Sequence, residues 1–187
     1  MSDVRPSDTM RALGVVQAEA PILHRPARRF DLPAERDVAQ QVLGELVAAA
    51  ARIAEVHDFA KGMGLAAPQL AIDRAAAIVQ PAEEGADLVV LLNPRIISRS
   101  DETDEQFEGC LSFFDVRGRV PRPLTIAVEH TRLDGSTTIT TFHQGLARLV
   151  HHEIDHLDGH LYKDRMREGV APIPLAEYRQ TGTAWSY

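Results

Sequence analysis

Two stretches of this chain have apolar residues at the spacing that is typical of amphipathic helices. The first runs from Glu35 to about Phe59, begins after Pro33 and stops at Lys61-Gly62, a basic residue followed by a helix-ending glycine. The second runs from Leu146 to Leu157 and closes at Gly159. The apolar stripe of the first helix consists of Val38, Val42, Leu46, Val47, Ile53 and Ala54. We therefore predict one long N-terminal amphipathic helix and a shorter helix near the C-terminus.

Short apolar and β-branched runs between the two helices predict strands. Leu124 to Glu129 alternates apolar and polar residues, and Thr137 to Phe142 follows the turn dipeptide Asp134-Gly135, so these runs form a hairpin. Further strands are predicted at Ala76 to Gln80, Leu88 to Leu92 and Arg95 to Ser98. Because the strands cluster between the helices instead of alternating with them, the expected fold class is α+β.

The remaining segments lack a regular pattern. Residues 1–12 are polar with an early proline and are expected to be a flexible tail, followed by an irregular entry segment over 13–30. Pro172 and Pro174 interrupt a stretch with little periodicity, so residues 166–187 are expected to be an irregular tail. With 187 residues, no internal repeat and no linker, the chain 1–187 is predicted to form a single domain.

The composition excludes several classes of protein. Apolar residues make up 44% and charged residues 25%, as in ordinary globular proteins, and the strongly apolar run Leu88 to Leu92 is too short to cross a bilayer. A net charge of −7 argues against general nucleic-acid binding. The single cysteine, Cys110, rules out an intramolecular disulfide, and the polar N-terminus shows no signal peptide. We expect a soluble, cytoplasmic protein with no membrane partner and no direct nucleic-acid specificity.

The second helix carries the sequence His152-Glu153-Ile154-Asp155-His156. Residues four apart lie on one face of a helix, so both imidazoles can bind one metal ion. Glu153 is one position away from His152, which places its carboxylate beside the metal, where it can take a proton from metal-bound water. The alternative interpretation is a surface helix with incidental histidines.

A catalytic metal site of this kind needs a third protein ligand and an open position for water. The candidates are Cys110 upstream and an acidic residue downstream, such as Glu168 or Glu177. A thiolate is a strong ligand, but a lone cysteine is often buried only for packing. The residue types alone therefore leave the third ligand open.

The segment from Gly62 to Gln69 is rich in glycine and alanine, so its backbone can approach a ligand closely. Gln69 supplies an amide that can donate a hydrogen bond to a developing oxyanion. A turn that stops the first helix explains Gly62 and Gly64 equally well.

Taken together, these segments resemble the signature motifs of the peptide deformylase family. Gly62 to Gln69 is similar to the family's glycine-rich motif, Glu108 to Ser112 to its Glu-Gly-Cys-Leu-Ser motif, and His152 to Leu157 to its His-Glu-x-x-His motif. The motifs occur in the same order, and the resemblance extends from about Leu13 to Met166. It implies an α+β fold in which small antiparallel sheets pack around a central metal-binding helix.

The resemblance implies an enzyme that removes the N-formyl group from the initiator methionine of nascent polypeptides and releases formate. Its cofactor would be one divalent metal ion, natively Fe²⁺ with Zn²⁺, Ni²⁺ or Co²⁺ as substitutes, bound by Cys110, His152 and His156. Glu153 would act as general base and then as general acid while metal-activated water attacks the formyl carbon.

Further residues have supporting roles by the same resemblance. Gln69 and the backbone N–H of Leu111 would stabilise the oxyanion, and Gly64 would offer its backbone to the peptide. Glu108 and Arg122 resemble a buried acid–arginine pair that braces the cysteine segment. The residues expected to contact the substrate are Met63, Leu146 and Leu149 around the methionine side chain, and Arg117 beside the peptide backbone.

Three features differ from the usual family pattern. Phe113 and Phe114 follow Ser112 where an aliphatic residue and proline are usual, so specificity beyond formyl-methionine is open. His151 stands where glutamine is common, and a role beside the metal ligand or a purely structural role both fit. The tail shows no long helix of the kind that docks some relatives on the ribosome, so at most a transient ribosome contact is expected.

Two other functions fit the same residues. A zinc peptidase would use the same helix with a downstream acidic ligand such as Glu177. A non-catalytic deformylase relative would keep the metal ligands without activity, although Glu153 and Gln69 would then have no purpose.

Overall fold

The computed structural model describes residues 5–181, and the fold is given for that range. Within it the chain forms four α-helices and nine short β-strands. The helices are α1 (Pro6–Ala12), α2 (Arg36–Ala54), α3 (Gln144–Leu157) and α4 (Leu175–Gln180). The strands are β1 (Met63–Ala66), β2 (Ala76–Gln80), β3 (Val89–Leu92), β4 (Arg95–Arg99), β5 (Thr103–Glu108), β6 (Val116–Pro123), β7 (Thr125–Thr131), β8 (Thr137–His143) and β9 (Ile173–Pro174). None of the helices within 5–181 is long and apolar enough to span a membrane.

The described strands form three antiparallel sheets of three strands each. Their strand orders are β1-β2-β3, β4-β7-β8 and β5-β6-β9. The predicted hairpin is β7-β8, in which Thr125 pairs with His143 and Thr131 pairs with Thr137. This mixture of helices and small antiparallel sheets confirms the α+β class.

The helix α3 packs against two of these sheets and is almost wholly buried. Its apolar residues join a core cluster with the first and second sheets through side chains such as Val79, Leu91, Ile126 and Val128. The α3 members of the cluster are Ala147, Val150, Ile154 and Leu157. Because the helix lies inside the fold, its charged and imidazole side chains are buried as well and need partners there.

The helix α2 covers the first sheet with one apolar face, but its register differs from the sequence prediction. Val38 and Val47 are 42% and 46% exposed and Ala54 is exposed, whereas Ala39 and Ala49 are buried. The buried positions are Ala39, Val42, Leu46, Ala49 and Ile53. The segment is rich in alanine and valine on several faces, so apolar spacing alone did not select the face that meets the sheet.

This helix also ends earlier than predicted, at Ala54 and not near Phe59. Residues 55–62 form a loop, and Lys61-Gly62 ends that loop. The His57 ring packs against Phe59 and Phe114, with ring centroids 4.5 and 4.9 Å away. These contacts join the loop to the segment that follows Cys110.

Both ends of the described range contain more regular structure than the sequence predicts. Residues 1–12 are predicted to be a flexible tail, but α1 begins at Pro6, and buried Met10 joins the core. Proline fits the first turn of a helix because its missing N–H would have no partner there. Residues 166–187 are predicted to be irregular, but β9 pairs with β6 and α4 follows it. Residues 1–4 and 182–187 of these tails lie outside the described residues.

The predicted strands at β2, β3 and β4 are confirmed within one residue at each end. Besides β9, three strands were not predicted: β1 lies in the glycine-rich segment, and β5 and β6 are rich in charged residues and proline. The β5-β6 ladder runs from the pair Thr103–Pro123 to the pair Glu108–Gly118. Pairing in the folded chain forms these strands although their intrinsic β propensity is low.

Candidate active site and metal centre

Cys110, His152 and His156 converge in the interior of the fold. Their ligand atoms lie within 4.8 Å of one another, and the Cys110 Sγ is 3.2 Å from the His156 Nε2. Cys110 lies two residues after the end of β5, whereas both histidines project from one face of α3, as their four-residue spacing predicts. The downstream acids considered as third ligands, Glu168 and Glu177, are exposed and do not belong to this group.

The chemistry of these donors fits a divalent transition-metal ion. One thiolate and two imidazoles leave the fourth position of a tetrahedral site open. The His152 Nδ1 is 3.0 Å from the Glu108 Oε2, which leaves the Nε2 of that ring for a metal. Burial, followed by the charge of His152, holds the pKa of His156 well below its ordinary value, so this ring is neutral, as a ligand must be.

The pKa of His152 moves in the opposite direction. Burial lowers it, but hydrogen bonds with Cys110 and Glu108 outweigh burial and raise it well above the ordinary value. Contacts with these two neighbours therefore favour the protonated form of the ring. A metal ion bound at the ring would take the place of that proton.

A buried network of charges fixes the residues around the three donors. The carboxylate of Glu108 accepts two hydrogen bonds of 2.9 Å from Arg122, and both side chains are at most 3% exposed. Arg122 also donates to Asp155 of α3 at 2.6 Å. Burial opposes ionisation of Glu108, but Arg122 outweighs it and lowers the pKa of this carboxyl group. The expected pair of Glu108 and Arg122 is thus in direct contact and links β5, β6 and α3.

The side chain of Gln69 is held in one orientation at the donors. Its Oε1 accepts a hydrogen bond of 2.9 Å from the backbone N–H of Ala66. Its Nε2 donates to the Ser112 Oγ at 3.3 Å and approaches the Cys110 Sγ at 3.6 Å. The amide group therefore directs its donor side towards the place where Cys110 and the Leu111 backbone lie.

Glu153 is buried beside the donors, and its Oε2 has no hydrogen-bond partner among the described residues. Burial raises the pKa of this carboxyl group to about 7. The backbone of β1 passes directly over the carboxylate at Gly64, where a Cβ atom would lie 2.5 Å from the Glu153 Cδ. The glycine is therefore required here by the close approach of the strand to this side chain.

These groups open into a cavity of about 280 Å³. The site residues predicted from the sequence that line it are Met63, Gly64, Gln69, Glu108, Cys110, Leu111, Arg117, Leu149, His152 and Glu153. Its wall also includes residues from the loop after α2, from β5 and from α4. These additional residues include His57, Phe59, Lys61, Phe107 and Tyr178.

A family model described as Polypeptide deformylase matches residues 12–171 of this chain. The chain belongs to the peptide deformylase family. It is 35% identical over 151 residues to peptide deformylase 2 from Nostoc sp., which covers 77% of this chain and 80% of that protein. It is 34% identical over 167 residues to a peptide deformylase from Lactobacillus gasseri, which covers 84% of this chain and 90% of that protein.

Solved deformylase structures have the same fold. A class I type b peptide deformylase from Acinetobacter baumannii with Met-Ala-Ser bound superposes with a TM-score of 0.71 and 30% identity, covering 89% of this chain and 100% of that chain. The Plasmodium falciparum peptide deformylase gives a TM-score of 0.70 and 26% identity, covering 83% of this chain and 86% of that chain. The chain is therefore a peptide deformylase, a metal-dependent hydrolase that acts on formylated peptides.

Some residues predicted to line the deformylase pocket lie elsewhere. Leu146 packs into the core cluster around α3 and does not line the cavity. Phe113 stacks on Tyr162 with ring centroids 4.6 Å apart, so only Phe114 of the two phenylalanines faces the cavity. The sequence shows that both rings are large but not which one turns inward. His151 lies outside this cavity and lines a second one.

Arg117 lines the deformylase cavity, but part of its guanidinium group is bound to backbone. Its Nη1 donates to the carbonyl oxygens of Phe114 and Val116 at 2.9 and 2.8 Å. Burial lowers its pKa. The side chain also lies against Gly109, where a Cβ atom would be 2.6 Å from the Arg117 Cζ. Arg117 therefore shapes the segment before Cys110 as well as the cavity wall.

Sequence reasoning missed Arg148, a second arginine in the charged network. It projects from α3 with a side chain only 1% exposed and donates to the Glu108 Oε1 at 2.7 Å. It also donates to the Val120 carbonyl at 2.8 Å and to the Asp104 Oδ1 at 2.6 Å. The sequence does contain a signal for this role, because Arg148 lies four positions before His152 and therefore on the same face of the predicted helix.

Proposed function

We propose that this deformylase removes the N-formyl group of the initiator methionine in nascent polypeptides, with a divalent metal ion held by Cys110, His152 and His156. Fe²⁺ is the proposed native metal, with Zn²⁺, Ni²⁺ or Co²⁺ as substitutes. The observation that carries the proposal is the convergence of these three donors at a cavity that Cys110 and His152 line together with Glu153 and Gln69. When bound, the metal would polarise the formyl carbonyl and lower the pKa of a water molecule.

In this proposal Glu153 transfers the proton. Its carboxylate accepts a proton from the attacking water and passes it to the departing amine as the C–N bond breaks. The free Oε2 supports this role, since no other side chain competes for its lone pairs when the proton is transferred. Burial that raises its pKa to about 7 also makes the protonated form a usable acid near neutral pH.

Gln69 and the backbone N–H of Leu111 are proposed to stabilise the negative charge that develops on the formyl oxygen. The Gln69 amide is already oriented by Ala66 and Ser112, so little reorganisation is needed as charge develops. Each such donor is worth about 3 kcal/mol of transition-state stabilisation in comparable oxyanion holes.

The cavity is proposed to bind the methionine side chain against Met63 and Leu149, with Gly64 and Arg117 beside the peptide backbone. All four residues line the cavity, and Phe107 and Tyr178 add aromatic surface to the same wall. The Acinetobacter baumannii structure with Met-Ala-Ser bound supports a peptide with N-terminal methionine as the ligand class. Phe114 adds a bulky group to the wall, so side chains after methionine are where selectivity is expected to differ.

The experiment is formate release from N-formyl-Met-Ala-Ser by protein purified without oxygen and loaded with iron or nickel. Unformylated Met-Ala-Ser serves as the control for cleavage of backbone bonds. Formate release with an intact tripeptide supports the proposal. Cleavage of the control peptide would instead support a peptidase, and absence of formate from fully loaded protein would support a non-catalytic relative.

Two variants separate the proposed roles within the site. Cys110→Ala should lose the metal, whereas Glu177→Ala should retain it, because only Cys110 lies beside the two histidines. Glu153→Gln should keep the metal but release formate at least about a hundredfold more slowly, since the proton acceptor is lost. Full metal content in Cys110→Ala, or full activity in Glu153→Gln, would contradict the assignments.

A cytoplasmic location and a transient ribosome contact are also proposed, because the substrate is the start of a nascent polypeptide. The C-terminal α4 is only six residues long within the described range, so a lasting contact through it is not proposed. Co-sedimentation with ribosomes at low and physiological salt would test the contact.

A further inference from the structure

A second cavity, of about 210 Å³, lies on the other side of α3 from the metal centre. The helix contributes His151, Ile154, Asp155 and Asp158 to this cavity. They lie on a different face of α3 from His152 and Glu153. The two cavities share no lining residue. Any molecule bound in the second cavity would therefore occupy a site separate from the catalytic one.

The rim of this second cavity is strongly basic. Four arginines line it, from the entry segment, from β4 and from the turn after α3. They are Arg29, Arg95, Arg99 and Arg165. Arg95 pairs with Glu129 at 3.0 Å and Arg165 with Asp155 at 2.8 Å. Within residues 5–181, Arg29 and Arg99 have no carboxylate partner within 4.0 Å.

This concentration of positive charge occurs in a chain whose net charge is −7. Of the two carboxylates that line the cavity, Asp155 is already bound by Arg122 and Arg165, which leaves Asp158 beside the arginines. The floor also contains His151, which is only 7% exposed and whose Nδ1 has no hydrogen-bond partner among the described residues. A concave site with cationic walls and a buried ring able to form hydrogen bonds attracts anions.

We propose that this cavity binds a phosphate group, either as the free ion or on a small phosphate ester. Guanidinium groups form paired hydrogen bonds with phosphate oxygens, and Arg29 and Arg99 are available for this. The volume of about 210 Å³ is below the range of about 300–1,000 Å³ for drug-sized ligands. A single small polyatomic anion therefore fits better than an extended ligand.

Asp158 at the same cavity favours phosphate over other anions. Near neutral pH a phosphate ion carries a proton, which it can donate to a carboxylate, whereas sulfate carries none. The Asp158 carboxylate therefore accepts a hydrogen bond from phosphate but repels sulfate. Phosphate should bind more tightly than sulfate. In Asp158→Asn the affinities for the two anions should lie closer together.

The test is calorimetric titration of the metal-loaded full chain with inorganic phosphate at neutral pH and constant ionic strength. We expect saturable binding of one phosphate, weakened about tenfold or more in the double variant Arg29→Gln/Arg99→Gln. Arg52→Gln, an exposed arginine on α2, is the matched control and should bind as the wild type does. Because neither Arg29 nor Arg99 lines the active-site cavity, phosphate bound at the metal would be unaffected by the double variant.

Three results would overturn the proposal. One is the absence of saturable phosphate binding, and another is equal binding by the double variant and the wild type. The third is sulfate binding as tight as phosphate binding. A parallel titration with ribose 5-phosphate identifies the source: tighter binding than inorganic phosphate assigns the site to an ester, and weaker binding assigns it to the free ion. Binding of single-stranded RNA through Arg29 and Arg99 without phosphate binding would replace the proposal with a nucleic-acid surface.

Discussion

The substitution Gly64→Ala tests whether the position of Glu153 limits catalysis. A Cβ atom at residue 64 would lie 2.5 Å from the Glu153 Cδ and 2.6 Å from its Cγ, well inside van der Waals contact. The close atoms all belong to the Glu153 side chain, which lines the cavity, so the added methyl group would displace this carboxylate from its position at the donors. Either β1 or the carboxylate must shift by roughly 1 Å, a displacement that can cost about a hundredfold in rate, or about 2.7 kcal/mol.

The assay for this variant is formate release from N-formyl-Met-Ala-Ser, together with metal content. We expect kcat to fall about a hundredfold while the bound metal stays stoichiometric, because Cys110, His152 and His156 are not touched. Gly44→Ala is the matched control: no atom lies within 4 Å of its added Cβ, and alanine favours the helix there. Wild-type kcat in Gly64→Ala would refute the argument that the strand and the carboxylate are tightly fitted.

Three further predictions concern stability. Arg148→Met should lower the free energy of unfolding by about 1.5–3 kcal/mol in urea titrations, because it removes charged hydrogen bonds to Glu108 and Asp104 while Glu108 keeps Arg122 as a partner. Leu46→Ala should lower the free energy of unfolding by about 2–5 kcal/mol and Val47→Ala by at most about 0.5 kcal/mol, because only Leu46 is buried. A larger loss in Val47→Ala than in Leu46→Ala would contradict the register of α2. The hydrogen bond with Arg74 lowers the pKa of Glu35 to about 2. The wild type should therefore have a higher free energy of unfolding than Glu35→Gln above pH 4.5, and this difference should disappear as the pH falls towards 2.

The parts of the site that lie close together in sequence could be predicted from the sequence. The spacing of His152, Glu153 and His156 fixes their arrangement as soon as the segment is helical, because helix geometry is the same everywhere. Cys110 was only one of several candidate ligands from residue types alone. Its place depends on β5 ending against α3, which is a feature of the tertiary fold.

The errors in the fold have one physical origin, which is that local pattern does not reveal tertiary partners. The strands β5 and β6 carry charged residues and prolines that are unfavourable for isolated strands, yet every residue of β5 pairs with β6. In α2 the alternative apolar face was equally consistent with helical spacing, and only contact with β2 selects the face of Leu46 over that of Val47. Such contacts join residues far apart in the chain and leave no local signal.

The same argument explains why Arg148 was missed and what its network does. A buried arginine is costly unless it is paired, and here its partners come from β5 and from the backbone of β6. Buried ion pairs are weak evidence for net stability, because desolvation offsets much of their attraction. Their more specific effect here is geometric: Arg122 and Arg148 hold Glu108, and Glu108 holds the His152 ring by its Nδ1. Loss of metal affinity in Arg148→Met beyond that of an equally destabilised Leu46→Ala would show that the network positions this ring as well as stabilising the fold.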